Sequence, residues 1–231
     1  MKNKNLSTHF KKSEILLWSS SIIIILLSFI IFDRESYLTL ISSIIGVTSL
    51  ILNAKGNPIG QILMIIFSVL YGIISLTFAY YGEMITYLGM TAPMALFALI
   101  SWLKNPYNGN KSEVRVSNLK INDFIFMFIL SAVVTFIFYY ILKAFNTKNL
   151  FLSTISVTTS FIAAWLTFKR SEYFALLYAL NDIVLIFLWI LASIEDISYL
   201  SVIICFLMFL INDLYGFFNW QKMKKRQSFD G

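Results

Sequence analysis

The sequence predicts an all-α integral membrane protein with eight transmembrane helices, on the basis of its composition and the length of its apolar runs. Of the 231 residues, 58% are hydrophobic and only 13% are charged, which is too little polar surface for a soluble domain. The apolar residues form continuous runs of about twenty, the length that crosses a bilayer as a helix. Strands of a membrane barrel would instead show short segments of alternating polarity. A bundle of helices is therefore expected, because helices satisfy their own backbone hydrogen bonds in lipid.

Polar segments separate the runs and fix the predicted ends of the helices. The first run is followed by Asp33-Arg34-Glu35 instead of small residues suited to signal cleavage, so we expect a retained span. The third run opens on Asn57-Pro58, a cap with proline at the first helical position, and Pro93 in the fourth run predicts a kink. The fifth run follows a long basic segment, residues 105–123. The predicted spans are Ile15–Phe32, Tyr37–Leu52, Pro58–Tyr81, Met84–Leu103, Phe124–Leu142, Phe151–Phe168, Tyr173–Ser193 and Leu200–Phe218.

The distribution of basic residues predicts the orientation. With the N-terminus in the cytoplasm, 15 of the 18 Lys and Arg residues fall on the cytoplasmic side. Only Arg34, Lys143 and Lys148 fall outside. We therefore expect a multi-pass protein of the cell membrane with both termini cytoplasmic. The net charge of +6 follows from this topology, so no nucleic-acid partner is predicted.

Two stretches of the chain match each other. In Ala98–Lys104 and in Gly216–Lys222 a small residue is followed by tryptophan four positions later and lysine two further, at an offset of 118 residues. This predicts a single transmembrane domain, residues 1–231, with an additional N-terminal helix (15–32), a first three-helix repeat (37–103), a connector helix (124–142) and a second repeat (151–220). Parallel repeats of this kind are one plan of secondary transporters, which bind substrate near the midplane between the repeats.

Motifs of enzymes are missing from the sequence. It contains no phosphate-binding loop, no H-E-x-x-H pair and no Cys/His cluster, and His9 is its single histidine. A Ser-His-Asp triad cannot be assembled within the membrane without a histidine. We therefore predict no catalytic residue, no metal site and no cofactor.

Polar residues inside two predicted spans are the candidate binding groups. Asn181 and Asp182 lie near the middle of the seventh span, where a carboxylate costs about 2.5 kcal/mol or more and is usually functional. Asn212 and Asp213 lie in the eighth span, seven residues before Trp220, and are expected nearer its cytoplasmic end. The alternative for each is a hydrogen-bond network that joins helices. A membrane enzyme acting on lipid would need two acids at one depth, and Asp182 and Asp213 are expected at different depths.

Several short motifs together resemble the nicotinamide riboside transporter (PnuC) family. The resemblance implies a facilitator for a vitamin precursor, with the parallel-repeat fold of the sugar-transporting SWEET proteins, a homotrimeric assembly, and uptake drawn forward by phosphorylation of the nucleoside inside the cell. The matching stretches are Asn57-Pro58-Ile-Gly60 through Tyr71-Gly72, Tyr81-Gly82-Glu83-Met84, Pro93-Met94, Trp102, Thr158-Thr159 through Trp165-Leu166, Glu172 through Asn181, and Tyr215-Gly216-x-x-x-Trp220.

The chain departs from the family pattern at three positions, which bears on the substrate. Ala164 replaces a glutamine, and Phe174 and Leu177 replace two tryptophans. Nicotinamide riboside or a related heteroaromatic precursor is the predicted substrate, and thiamine or a (deoxy)nucleoside is the alternative. A lipid-modifying enzyme and a structural subunit are the rival classes. The predicted substrate-binding residues are Tyr71, Thr158, Trp165, Tyr178, Asn181, Asp182 and Asn212.

Overall fold

The computed structural model describes residues 10–77 and 81–229, and eight of its helices are long and apolar enough to cross a membrane. This confirms the predicted all-helical class. His9 and the segment between the third and fourth spans lie outside the described residues. The helices are α1 (Lys12–Phe32), α2 (Tyr37–Ala54), α3 (Ile59–Thr77), α4 (Tyr81–Lys104), α5 (Ile121–Ala144), α6 (Leu150–Phe168), α7 (Phe174–Ser193) and α8 (Leu200–Phe229).

The fourth helix contains an irregular turn. α4 is α-helical over Tyr81–Thr86, has a π-helical turn at Tyr87–Thr91 and continues as an α-helix over Ala92–Lys104. The N–H of Ala92 donates to the carbonyl of Tyr87, one residue further back than in an α-helix. Pro93 follows and has no N–H to donate, so the regular ladder cannot continue through this point. The predicted kink is thus an expanded turn that begins before the proline.

Helices α2, α3 and α4 pack together, and so do α6, α7 and α8. Between the two groups, α2 packs on α8 and α4 packs on α6. In each contact the first helix of one group meets the third helix of the other. Helix α1 lies against α2 and α8, and α5 lies against α6. This arrangement is the one expected of two equivalent three-helix units, and it supports the hypothesis of two repeats with α5 as their connector.

Trp102, two residues before the end of α4, and Trp220, nine residues before the end of α8, join the two groups, and we call them the tryptophan pair. The Nε1 of Trp102 donates to the carbonyl of Thr167 at the end of α6, and the Nε1 of Trp220 donates to the carbonyl of Asn53 at the end of α2, at 2.9 and 2.8 Å. Both indoles are fully buried, and their ring centroids are 5.3 Å apart. The preceding residues make matching bonds, from Ser101 Oγ to Phe168 O and from Asn219 Nδ2 to Ala54 O.

The basic segment before α5 contains a small hairpin, which the sequence analysis did not predict. Strand β1 (Pro106–Tyr107) pairs antiparallel with β2 (Asn110–Val114), and Asn108 and Gly109 turn the chain with φ of 48° and 75°. Asn-Gly is the strongest short signal for such a turn. The hairpin contacts the end of α8, which extends eleven residues past the predicted Phe218. Gln227 Nε2 donates to Glu113 Oε1 at 2.9 Å, and Arg226 forms an ion pair with Glu113.

We name the two ends of the bundle after the predicted orientation. The outer end has the loops 33–36, 145–149 and 194–199, and the inner end has the hairpin and the tryptophan pair. At the inner end, α1 is fixed by the fully buried Glu14, whose carboxylate accepts from Lys55 Nζ at 3.1 Å and from the Tyr215 hydroxyl at 2.8 Å. Helix α1 is thereby joined to both α2 and α8.

Candidate functional site

Asn181 lies buried in α7 with its amide held by hydroxyls of α6. Its Oδ1 is 3.0 Å from the Ser156 hydroxyl and 2.9 Å from the Thr159 hydroxyl. Thr159 can alternatively donate to carbonyls of its own helix. Within the described residues, Asn181 Nδ2 donates no hydrogen bond. The side chain is therefore fixed through its oxygen and keeps two N–H donors for a ligand.

Asp182 and Asp213 face each other across α7 and α8. Both are buried, and their carboxyl groups lie within hydrogen-bonding and electrostatic range of one another. Asp182 Oδ2 has no partner among the described residues. The expectation that the two acids lie at different depths was wrong. Asp182 lies eleven residues before the end of α7 and Asp213 thirteen residues after the start of α8, so the two helices, joined by the short loop 194–199, bring the acids to the same level.

Two tyrosines lie near Asp182, and a third packs against one of them. Tyr71 of α3 is buried, and its ring centroid is 4.6 Å from that of Tyr87 in the π-helical turn. Tyr87 and Tyr178 both lie within electrostatic range of Asp182. Sequence reasoning selected Tyr71 and Tyr178 and missed Tyr87. Pro93, which marked the irregular turn, was the available signal, because π turns are often found at functional sites.

Thr158 and Trp165 point toward α5 instead of toward Asn181. The Thr158 hydroxyl is 2.7 Å from the Thr135 hydroxyl of α5. The Trp165 ring packs against the Phe126 ring of α5, with centroids 5.3 Å apart, and lies under the ammonium group of Lys169. The structure therefore does not bring these two predicted residues into the site. Thr159, one position further along α6, takes the place next to Asn181.

Asn212 is turned toward the N-terminal helix. Its Nδ2 donates to Ser21 Oγ of α1 at 3.0 Å and to the carbonyl of Met208 at 2.8 Å. Its Oδ1 is buried and has no partner within the described part of the chain. Asn212 thus links α8 to α1, and its oxygen remains available as an acceptor.

Two cavities lie at the outer end, on either side of Trp189 and Tyr199. The larger, which we call the outer vestibule, has a volume of about 440 Å³ and is lined by the start of α4, residues 145–149 and the end of α7. The second, of about 390 Å³, is lined by residues 32–36, Tyr71 and Asp196. The backbone N–H of Ser198 donates to Asp196 and lowers the pKa of this exposed carboxyl below its usual value.

A narrow space extends inward from the outer vestibule. It shares Gly82, Glu83 and Ser153 with the vestibule and reaches Ser156, which bonds Asn181. Its volume of about 20 Å³ holds roughly one water molecule. The described conformation therefore has a ligand-sized space outside and a closed passage to the buried polar centre.

The family described as Nicotinamide mononucleotide transporter matches residues 36–222 of the chain. The chain belongs to this family. Membership confirms the predicted transporter class over the enzyme and structural-subunit alternatives. The additional helix α1 lies before the matched residues.

Two curated relatives are similar to the transporter over most of its length. The nicotinamide riboside transporter PnuC of Neisseria mucosa is 26% identical over 202 residues, which cover 86% of this chain and 77% of the relative. The nicotinamide riboside transporter PnuC of Haemophilus influenzae is 25% identical over 193 residues, which cover 83% and 82%.

A solved structure shares the fold of the transporter. The crystal structure of the vitamin B3 transporter PnuC superposes with a TM-score of 0.82 at 24% identity, and the match covers 94% of both chains. The predicted relationship to this family of transporters is confirmed by the family match, the relatives and the fold together.

Proposed function

We propose that the transporter moves nicotinamide riboside across the cell membrane by facilitated diffusion, and that Asn181, Asp182 and Asp213 form its binding centre. Both curated relatives have that substrate in their names. The observation that supports it most directly is the charge of the centre. Asp182 and Asp213 are buried there, and helices α2–α4 and α6–α8 contain Lys and Arg only at their inner ends.

This charge favours a cationic nucleoside over a mononucleotide. The pyridinium ring of nicotinamide riboside is positively charged, and two adjacent buried carboxylates are stabilised by a cation or by a shared proton. A phosphate group would add negative charge beside them without a basic partner. The riboside is therefore the better substrate for this centre.

The neighbouring groups have matching chemistry. The Asn181 Nδ2 group can donate to the carboxamide or to a ribose hydroxyl of the ligand. Tyr87, near Asp182, and Tyr71, which packs against Tyr87, would supply aromatic surface to a flat cation, which aromatic rings attract. Uptake would follow the concentration gradient, which phosphorylation of the nucleoside inside the cell would maintain.

Two further properties belong to the proposal. Both termini would be cytoplasmic, in agreement with the excess of basic residues at the inner end. The assembly would be a homotrimer, as the resemblance implies. The exposed apolar groove between α5 and α6, about 750 Å³ and lined by Phe128, Phe136 and Tyr140, is a surface that a neighbouring subunit would cover.

Thiamine is a second candidate, favoured by the positions that depart from the family pattern. Phe174 stands where the family has tryptophan, and it is buried against the tryptophan pair, 4.8 Å from the Trp220 ring. It cannot also form a wall for a ligand at Asn181. Thiamine is likewise a heteroaromatic cation and would suit the same acids. A neutral (deoxy)nucleoside would gain less electrostatic stabilisation from these acids.

Binding and flux measurements test the proposal. The melting temperature of the purified transporter is measured in detergent with nicotinamide riboside, thiamine, deoxynucleosides or riboflavin. Uptake of the radiolabelled ligand is then followed in proteoliposomes without ATP. We expect nicotinamide riboside to give the largest rise in melting temperature, and uptake to stop at equal concentrations inside and outside. A response to thiamine alone would select the alternative. Accumulation that a protonophore abolishes would contradict facilitated diffusion.

A further inference from the structure

Two buried polar atoms of residues that line the outer vestibule have no partner within the described part of the chain. Glu83 Oε2, in the first turn of α4, and Thr147 Oγ1, in the loop between α5 and α6, accept or donate no hydrogen bond within the described residues. Both side chains line the same cavity of about 440 Å³. A carboxylate oxygen removed from water without a partner is costly, which makes a ligand group its natural partner.

The only basic side chain among the residues that line the vestibule is bound to another acid. Lys148 Nζ lies 2.6 Å from Glu195 Oε2, and both side chains are more than half exposed. No ion pair of Glu83 occurs within the described part of the chain. The Glu83 carboxyl group thus lies at the point where the vestibule narrows without a basic partner among the described residues.

Close packing places the residue before Glu83 directly against Thr147. A Cβ atom added to Gly82 would lie 2.7 Å from Thr147 Oγ1 and 2.6 Å from Leu142 Cδ2. Glycine therefore lets the start of α4 approach the loop that contains Thr147. Trp189 and Tyr199, whose ring centroids are 5.2 Å apart, add aromatic surface to the same cavity.

Glu83 also lies on the route inward. It lines the narrow space that continues past Tyr87 to Ser156, and Ser156 bonds Asn181. Tyr71 and Tyr87 lie within electrostatic range of its carboxyl group. A ligand leaving the vestibule for the buried centre would pass this carboxylate first.

We propose that Glu83 and Thr147 form an outer staging site, at which the Glu83 carboxylate selects a positively charged heteroaromatic ligand before it reaches Asp182 and Asp213. The site rests on the proposed function for the identity of the ligand. A carboxylate in a partly dehydrated cavity attracts a cation far more strongly than one in water. The Thr147 hydroxyl would bond a polar group of the same ligand.

The test compares two ligands that differ in charge. Oxidised nicotinamide riboside is a cation, and its dihydropyridine form has the same amide and ribose without the charge. Glu83→Gln keeps the size of the side chain and removes its charge. We expect the variant to raise the KM for influx of the cation about tenfold, the effect of losing a charged hydrogen bond, and to leave that of the neutral form nearly unchanged.

Glu195→Gln is the matched control, because it removes a carboxylate from the same cavity that is exposed and already paired. It should leave both KM values nearly unchanged. Melting temperature without ligand is measured for each variant. Glu83→Gln should not lower it, since the carboxylate stabilises no partner in the described structure.

Three results would overturn the staging site: equal weakening of both ligands, no weakening of either, or a loss of stability that accounts for the effect. Wild-type protein that fails to bind nicotinamide riboside would instead contradict the proposed function. The same variants are then measured with thiamine, also a cation. A selective increase of its KM in Glu83→Gln would support the staging site, and binding of no cation would overturn it.

Discussion

Asn181 shows how neighbouring side chains can hold the oxygen of an amide and leave its N–H groups available for the ligand that we propose. Its oxygen is held by Ser156 and Thr159, and its N–H groups are left to donate. The high cost of burying polar groups in lipid made Asn181 and Asp182 predictable from sequence. The same reasoning could not decide whether Thr158 or Thr159 contacts Asn181. A threonine hydroxyl in a membrane helix can donate to the backbone of its own helix, so its burial does not require a particular neighbouring helix.

Replacing Asn181 tests its role directly. Asn181→Ala removes the amide that would bond the ligand, at a cost of about 0.5–1.5 kcal/mol in binding, which is a loss of affinity of up to roughly tenfold. Affinity for nicotinamide riboside is measured by titration calorimetry in detergent. Ile183→Ala is the control, since Ile183 is on the exposed surface of α7 and should affect packing alone. Unchanged affinity in Asn181→Ala, together with a lower melting temperature, would identify Asn181 as a link between helices.

The eight helices themselves were predictable because their apolar runs are long. Their observed ends differ by a few residues from those expected, except at the end of α8, where a polar extension of eleven residues follows the apolar run. The π-helical turn and the hairpin were harder to predict. A proline in the sequence indicates that the hydrogen-bond pattern of the helix must be interrupted. It does not indicate which backbone geometry the neighbouring residues adopt as a result. The hairpin has polar strands, so only its Asn-Gly turn distinguishes it from an irregular loop.

The tryptophan pair provides a test of equivalence between the two three-helix groups. Trp102→Phe and Trp220→Phe each remove one hydrogen bond between groups, worth about 0.6 kcal/mol and at most about 1.7 kcal/mol in a membrane protein. We expect both variants to lower stability by similar amounts in reversible unfolding. Trp165→Phe, whose ring packs on α5, should cost less. A large effect of one pair member and none of the other would argue against equivalent units.

Across the whole molecule, charge is unevenly distributed between the two ends. Four of the five ion pairs among the described residues lie at the inner end, where Glu14, Glu113, Asp123 and Glu172 each meet a lysine or arginine. The count of basic residues predicted the excess of positive charge at the inner end. It did not predict that several of these lysines and arginines pair with acids from distant parts of the chain. Residues so far apart in the sequence form ion pairs only because the helices pack together. A count of charges gives no information about that packing.

Reporter fusions test the orientation. Insertion at Asn108, in the exposed turn of the hairpin, and fusion after the last residue should both report the cytoplasm, because the inner end holds most of the basic residues. Insertion at Asn146, an exposed turn of the outer end, should report the exterior. Exterior signals at the first two positions would reverse the proposed orientation and would place the vestibule on the cytoplasmic side.

The positions of the five tryptophans also determine what the intrinsic fluorescence of the protein can report. Trp102 and Trp220 are sealed at the inner end, Trp165 stacks beside Lys169, and Trp18 bonds Thr48 on the outside of the bundle. Trp189 lines both cavities of the outer end. Quenching by a molecule that enters either cavity therefore arises from one indole, and the other four supply a constant background. Emission intensity becomes a local measure of ligand at the outer end in the unlabelled protein.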